Sequence, residues 1–102
     1  MTWEYLAGFL DGDGTIKCYP QGANKTVRPR ITFGQKERLV LDEIQTFLGT
    51  RLAITHSRNC HYLQICGTYN VHRILLEVLP FLIVKKQDAT DALALLEAKK
   101  GT

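Results

Sequence analysis

The chain has no apolar run long enough to span a bilayer, which excludes a helical membrane anchor. Its first ten residues, Met1 to Leu10, carry Glu4 and no basic n-region, so they do not read as a secretory signal. A soluble, intracellular protein is expected. Cysteine is scarce. Cys18, Cys60 and Cys66 are odd in number and lack Cys-x-x-Cys spacing, which argues against a disulfide framework. His56, Cys60, His61 and Cys66 fall within eleven residues, so zinc has to be weighed. Their spacing fits no zinc motif and the set would be cramped on one short hairpin, so the cysteines read as small buried thiols. Linkers and low-complexity tracts are absent, and residues 1–102 read as a single domain. So short a chain builds a limited core, to which burial against a second copy would add.

Acidic residues are missing from two stretches. Between Thr15 and Lys36 stand Lys17, Lys25, Arg28, Arg30 and Lys36 with no acid, and between Thr50 and Leu76 stand Arg51, Arg58 and Arg73, again with none. The net charge is only +3, so it is this segregation that informs. A surface built from the acid-free stretches would attract a polyanion.

Hydrophobic spacing supplies the elements. Tyr5, Leu6, Phe9 and Leu10 recur at helical spacing from Trp3 to Asp11, with Thr2 as N-cap and Gly12 and Gly14 as stops. Thr15 to Pro20 alternates as a half-buried strand, and Gln21 to Thr26 is a polar turn. Val27 to Phe33 alternates again, with Pro29 requiring a local edge. Glu37 to Leu48 is a second helix ended by Gly49. Arg51 to Ser57 and His61 to Cys66 make a second hairpin. Asn70 caps a third helix that Pro80 ends, and Lys86 to Lys99 is the last, ended by Gly101. An αββ unit therefore appears twice. The expected class is α+β, with one antiparallel sheet and helices on one face. The open face would carry Lys17, Tyr19, Gln21, Arg28, Arg30 and Thr32, long polar side chains in rows that suit a DNA groove. The second hairpin has two possible registers. Leu52 and Ile54 facing the core would put Thr55 and Ser57 outward with Tyr62 and Gln64; a bulge would bring out His56 and Arg58 instead.

The first helix holds two oddities. Gly8 lies inside it at a cost of about 1 kcal/mol relative to alanine. Gly8 and Gly12 share a face, and small residues at that spacing admit a second helix at close range. Asp11 and Asp13 put carboxylates at the negative end of the helix dipole, a conflict of roughly 0.3–1 kcal/mol that a divalent cation would remove. Asp-Gly-Asp-Gly-Thr-Ile also looks like a calcium loop, but counting excludes it. In one register Phe9 and Pro20 would have to be ligands. In the other Ile16 replaces the required glycine and Gly22 the glutamate.

Tyr5 to Ile16, YLAGFLDGDGTI, resembles the signature of LAGLIDADG homing endonucleases. The likeness runs from Trp3 to Glu97, and recurs in Ile31-Thr32-Phe33 followed by Gln35-Lys36 and in Leu79-Pro80-Phe81-Leu82 followed by Lys85-Lys86-Gln87. It implies an αββαββα(α) fold whose sheet is a saddle for the DNA major groove. It implies that Asp13 and the Gly12 carbonyl bind a metal, Mg2+ or another divalent cation such as Mn2+ or Ca2+, and that Gln35 and Lys85 complete a catalytic set around the attacking water. The DNA-binding set would be Lys17, Tyr19, Gln21, Lys25, Arg28, Arg30, Thr32, Thr55, Arg58 and Gln64. One motif per chain implies a homodimer through the motif helix (Tyr5, Ala7, Gly8, Leu10, Asp11 and Gly12) cutting both strands of a long, near-palindromic site. The departure from the family is length, since many homodimeric members extend beyond the core. Two other readings compete: a non-catalytic nucleic-acid binder of the same fold, such as an RNA maturase or a DNA-binding regulator, and a small dimerisation module.

Overall fold

The structure, a computed structural model, describes residues 1–21 and 26–100, with side chains given for all of these except 19–21, 26, 27, 99 and 100. Lys25 and Gly101 lie outside the described residues, and Tyr19 and Gln21 are placed by backbone register only.

Helix α1, Trp3–Asp13, opens as expected: the Thr2 hydroxyl accepts the Tyr5 N–H at 3.0 Å. It runs two residues past Asp11, through Gly12. The stop is Gly14, whose backbone crosses so close to Leu10 that an added Cβ would sit 2.5 Å from a Leu10 methyl. Strand β1, Gly14–Gln21, pairs antiparallel with β2, Thr26–Gln35, from Gly14 opposite Phe33 to Gln21 opposite Thr26. Helix α2, Arg38–Leu48, ends on Gly49 in the left-handed region (φ 73°). Strands β3, Ile54–Ser57, and β4, Cys60–Ile65, are joined by Arg58 and Asn59, both at positive φ (52° and 65°). That is a two-residue turn of the twist-matched kind, one residue shorter than the sequence suggests. Helix α3, Thr68–Val78, starts two residues before the expected Asn70 cap, behind Gly67 at φ 98°. Pro80 falls in a 3-10 turn, Leu79–Phe81, that stops it, and helix α4 is Lys86–Lys100.

The sheet order is β1-β2-β4-β3, antiparallel throughout. β2 is a central strand rather than an edge. Its pairing with β4 spans only Ile31 to Gln35, however, so Pro29 does lie where the β4 side is free. Inward residues Ile16, Ile31, Phe33, Leu63 and Ile65 are buried and pack with Leu6 and Leu10 of α1, Leu41 and Ile44 of α2, Ile74 and Leu75 of α3, and Leu96 of α4. The four described helices all pack on this one face. Gln45 secures the lead-in to β3: its amide donates to the Leu52 carbonyl (2.6 Å) and accepts the Leu52 N–H (2.7 Å) and the Thr50 hydroxyl (3.0 Å). No described helix is long and apolar enough to cross a membrane.

Candidate nucleic-acid interface and catalytic site

The open sheet face carries the side chains that alternate with the core. Thr15, Thr32 and Gln64 form one cross-strand row, Lys17 and Arg30 the next, and Tyr19 and Arg28 share a register position beyond it. Arg28 is steadied by the Thr68 hydroxyl, to which its guanidinium donates at 3.3 Å. In the second hairpin Ile54 stands opposite the buried Leu63, and Thr55 opposite Tyr62. The unbulged register is therefore the one adopted: Thr55, Ser57, Tyr62 and Gln64 share the open face, and Arg58 is an exposed turn residue. Tyr62 packs over Gly34, where a Cβ would approach its ring to 3.0 Å. Leu52, Ala53, Thr55, Tyr62, Gln64 and Cys66 line a shallow hollow on this face. Tyr62 and Gln64 stand where the unbulged register expects them, whereas Cys66, read from sequence as a buried thiol, is an unexpected wall.

The thiols are not buried as expected. Cys18 and Cys66 are exposed and Cys60 is half-buried. Burial of part of the Cys18 side chain, with the Asp91 and Asp88 carboxylates on α4, still pushes its thiol up, away from the reactive thiolate. Alternation puts His56 and His61 on the helix side of the hairpin, their rings 4.7 Å apart, and Cys60 on the other. The four-residue set weighed for zinc is thus divided between two faces.

The end of α1 gathers residues far apart in sequence. Asp13 and Gly12 are exposed, and the Gln35 amide donates to an Asp13 carboxylate oxygen at 3.4 Å. The Gln35 side-chain oxygen Oε1 accepts the Lys36 N–H (2.8 Å), and His61 Nδ1 meets the Lys36 backbone carbonyl (3.0 Å), fixing the strand exit that presents Gln35. Lys85 donates from Nζ to the Asp11 carbonyl at 2.6 Å, so its ammonium ends two residues from Asp13. The three residues expected to act together stand at one end of one helix.

Asp11 is elsewhere than expected. Its carboxylate is turned toward the segment before α4, accepting the N–H groups of Ile83 (2.8 Å) and Lys85 (3.0 Å). Burial pushes its carboxyl up, but the backbone N–H groups of Ile83, Lys85 and Val84 and the Lys85 charge outweigh that and hold it below the ordinary value. The dipole conflict at Asp11 is therefore resolved within the chain. Ala7 and Leu10, expected on the face offered to a second copy, are wholly buried in the chain's own core. That face is left to Tyr5, Gly8 and Gly12, and a Cβ at either glycine would meet nothing within 4 Å.

Residues 6–90 match a family model described as LAGLIDADG endonuclease. None of the curated proteins compared by sequence matches. Among solved structures the fold is similar to that of the homing endonuclease I-CvuI, seen in complex with its target in the presence of calcium (TM-score 0.81, 24% identity, 93% of this chain and 65% of that one). It is similar to the LAGLIDADG meganuclease I-AabMI bound to uncleaved DNA (0.82, 18%, 100% of this chain and 38% of that one). It is also similar to the archaeal intron-encoded homing endonuclease I-Vdi141I in complex with DNA (0.76, 20%, 97% and 69%). At such identities the structural likeness speaks for the fold. The chain spans just under two thirds of I-CvuI and well under half of I-AabMI.

Proposed function

Because the chain belongs to the LAGLIDADG endonuclease family, we propose that it forms a homodimer which cuts both strands of a long, near-palindromic DNA site with the help of a divalent cation. The observation that carries this reading is the convergence of Asp13, Gln35 and Lys85 at the end of α1, next to a sheet face bearing Lys17, Arg28, Arg30, Thr32 and Gln64. A non-catalytic nucleic-acid binder would have no use for that convergence.

The glycines support the dimer. Gly8 and Gly12 weaken α1 and answer to no neighbour among the described residues, so their use is external, as a surface that lets the α1 helix of a second copy come close. In the segment that Asp11 holds, Ile83 and Val84 stand 85% and 75% exposed, apolar area that a second copy would cover.

The donors at the site suit a hard cation. Asp13 and the Gly12 carbonyl offer oxygen, and magnesium is held by one or two carboxylates together with substrate phosphate oxygens. Among the described residues no group of three or more His, Cys, Asp or Glu gathers within one chain, which fits a site shared between two Asp13 residues. Mg2+, or Mn2+ or Ca2+ in the same place, would supply charge relief on the phosphate and a water of lowered pKa. The chain's own groups do the rest. The Gln35 amide holds Asp13 and is placed to orient a water, and the Lys85 ammonium stabilises charge developing on the phosphate oxygens. Arg28, Arg30 and Lys17 grip phosphate or read guanine in the major groove, with Tyr19, Gln21, Lys25, Thr55 and Arg58 extending the contact.

The test is selection of cleaved duplexes from a pseudo-palindromic library with magnesium, followed by Asp13→Asn on the selected site. Cutting should be lost while binding of the duplex persists. Cleavage at the wild-type rate by that variant would remove Asp13 from the mechanism. A protein that bound structured RNA and cut no duplex would turn the reading to a maturase.

A further inference from the structure

Resting on the endonuclease reading, we propose that Asp11 is the positioning residue of the site: it clamps the segment 83–85 onto the end of α1 and so fixes the Lys85 ammonium beside Asp13. Asp11 and Asp13 are two apart on a helix and point about 200° from each other. One faces out to where the nucleic acid would lie, the other in toward α4. Lys85 is tied to Asp11 at both of its ends: its N–H donates to the carboxylate at 3.0 Å and its Nζ to the Asp11 carbonyl at 2.6 Å. The second carboxylate oxygen takes the Ile83 N–H at 2.8 Å. Besides Asp11, the segment is held by the buried Leu82 before it and by the Lys85 carbonyl, which accepts the Ala89 N–H at 3.0 Å as α4 begins, while Ile83 and Val84 are exposed.

The physical need is plain. A lysine ammonium rides on four rotatable bonds and spreads over many positions unless its stem and tip are both held. The Asp11 carbonyl is one of those that a helix end leaves without an internal partner, so the ammonium is drawn to it. The carboxylate holds the peptide from which that stem starts. Asp11 touches no reacting atom in this scheme and works through Lys85.

A double-mutant cycle with Asp11→Asn, Lys85→Met and the pair tests this, read by single-turnover cleavage at saturating protein, duplex affinity and melting temperature. Asparagine keeps the size of Asp11 but only one of its two acceptor oxygens. The expected result is a loss in cleavage rate of about 10- to 100-fold for Asp11→Asn with duplex affinity unchanged. In the Lys85→Met background the same change should cost nothing further, because the two act as one unit. Losses that multiply, or a lower melting temperature with an unchanged rate, would overturn the proposal. A second measurement needs no cleavage: the Lys85 ammonium in the wild-type protein should give a protected 15N–1H signal distinct from the other lysines and lose it in Asp11→Asn. An ammonium already unprotected in the wild type refutes the clamp even if Asp11→Asn fails to fold. If the wild type cuts no duplex but this signal behaves as expected, the clamp stands and the endonuclease reading falls.

Discussion

Replacing Gly8 by alanine should move stability in opposite directions in the monomer and the dimer. In the isolated chain the new methyl group meets nothing within 4 Å, so there is no clash to offset the better helix former. The gain from propensity is about 1 kcal/mol. For a domain of this size that is a rise in melting temperature of about 4–8 °C. In a dimer whose α1 helices touch at Gly8, two methyl groups enter one contact. Overfilling a packed contact costs about 1–3 kcal/mol. At about 2 kcal/mol, the dimer dissociation constant rises about 30-fold. Sedimentation equilibrium gives the dissociation constant, and thermal melts at a concentration where the chain is monomeric give the other half. Tighter or equal dimerisation by Gly8→Ala, together with the higher melting temperature, would refute contact through this face. A fall in monomer stability would refute the open space around Gly8.

Phe33 is fully buried with the Phe9 ring 5.8 Å away, so Phe33→Ala should cost about 3–5 kcal/mol in denaturant unfolding; a loss far below that would mean the core can close over the gap. Arg28→Ala and Lys17→Ala should each reduce the slope of log affinity for DNA against log salt by about one, and an unchanged slope would remove that residue from the phosphate contacts. Because the Asp11 carboxyl is held below its ordinary value, its contribution to stability is complete above the unfolded carboxylate pKa and is lost as pH falls through the lower folded one. Melting temperature against pH should thus fall more steeply in acid for the wild type than for Asp11→Asn, and parallel curves would contradict this.

The architecture was largely legible because its periods are clean. Leu41, Ile44 and Leu48, and Val71, Ile74, Leu75 and Val78, mark helix faces, and the alternation through Ile31 and Phe33 marks β2. The ends were less so. Gly12 reads as a stop, yet only the steric crossing at Gly14 turns the chain. Arg58 and Asn59 take left-handed conformations that composition does not announce. Ala7 and Leu10 were misassigned because a small or apolar helix residue looks the same whether it meets its own sheet or a second copy. Asp13, Gln35 and Lys85 came from a family likeness, not from chemistry visible in one dimension. Asp11 could not have been read at all, since its partners lie 72 and 74 positions downstream.

The short overlap between β2 and β4 has a consequence for range. From Thr26 to Arg30, β2 has only β1 beside it among the described strands, with Pro29 and Cys18 turned toward the helix side. Five strand residues measure about 16 Å, close to five steps of a duplex at about 3.4 Å each. On the proposed function, this two-stranded arm, bearing Lys17 and Arg28, would set how far from the centre of its target a subunit can inspect bases. Adding or removing one residue would turn every side chain to the wrong face, so the arm can change only in pairs. In the proposed dimer, each pair of residues in both strands would extend the sequence inspected by about two base pairs on either side. Footprint length would then be a matter of hairpin length, independent of the machinery proposed to cut.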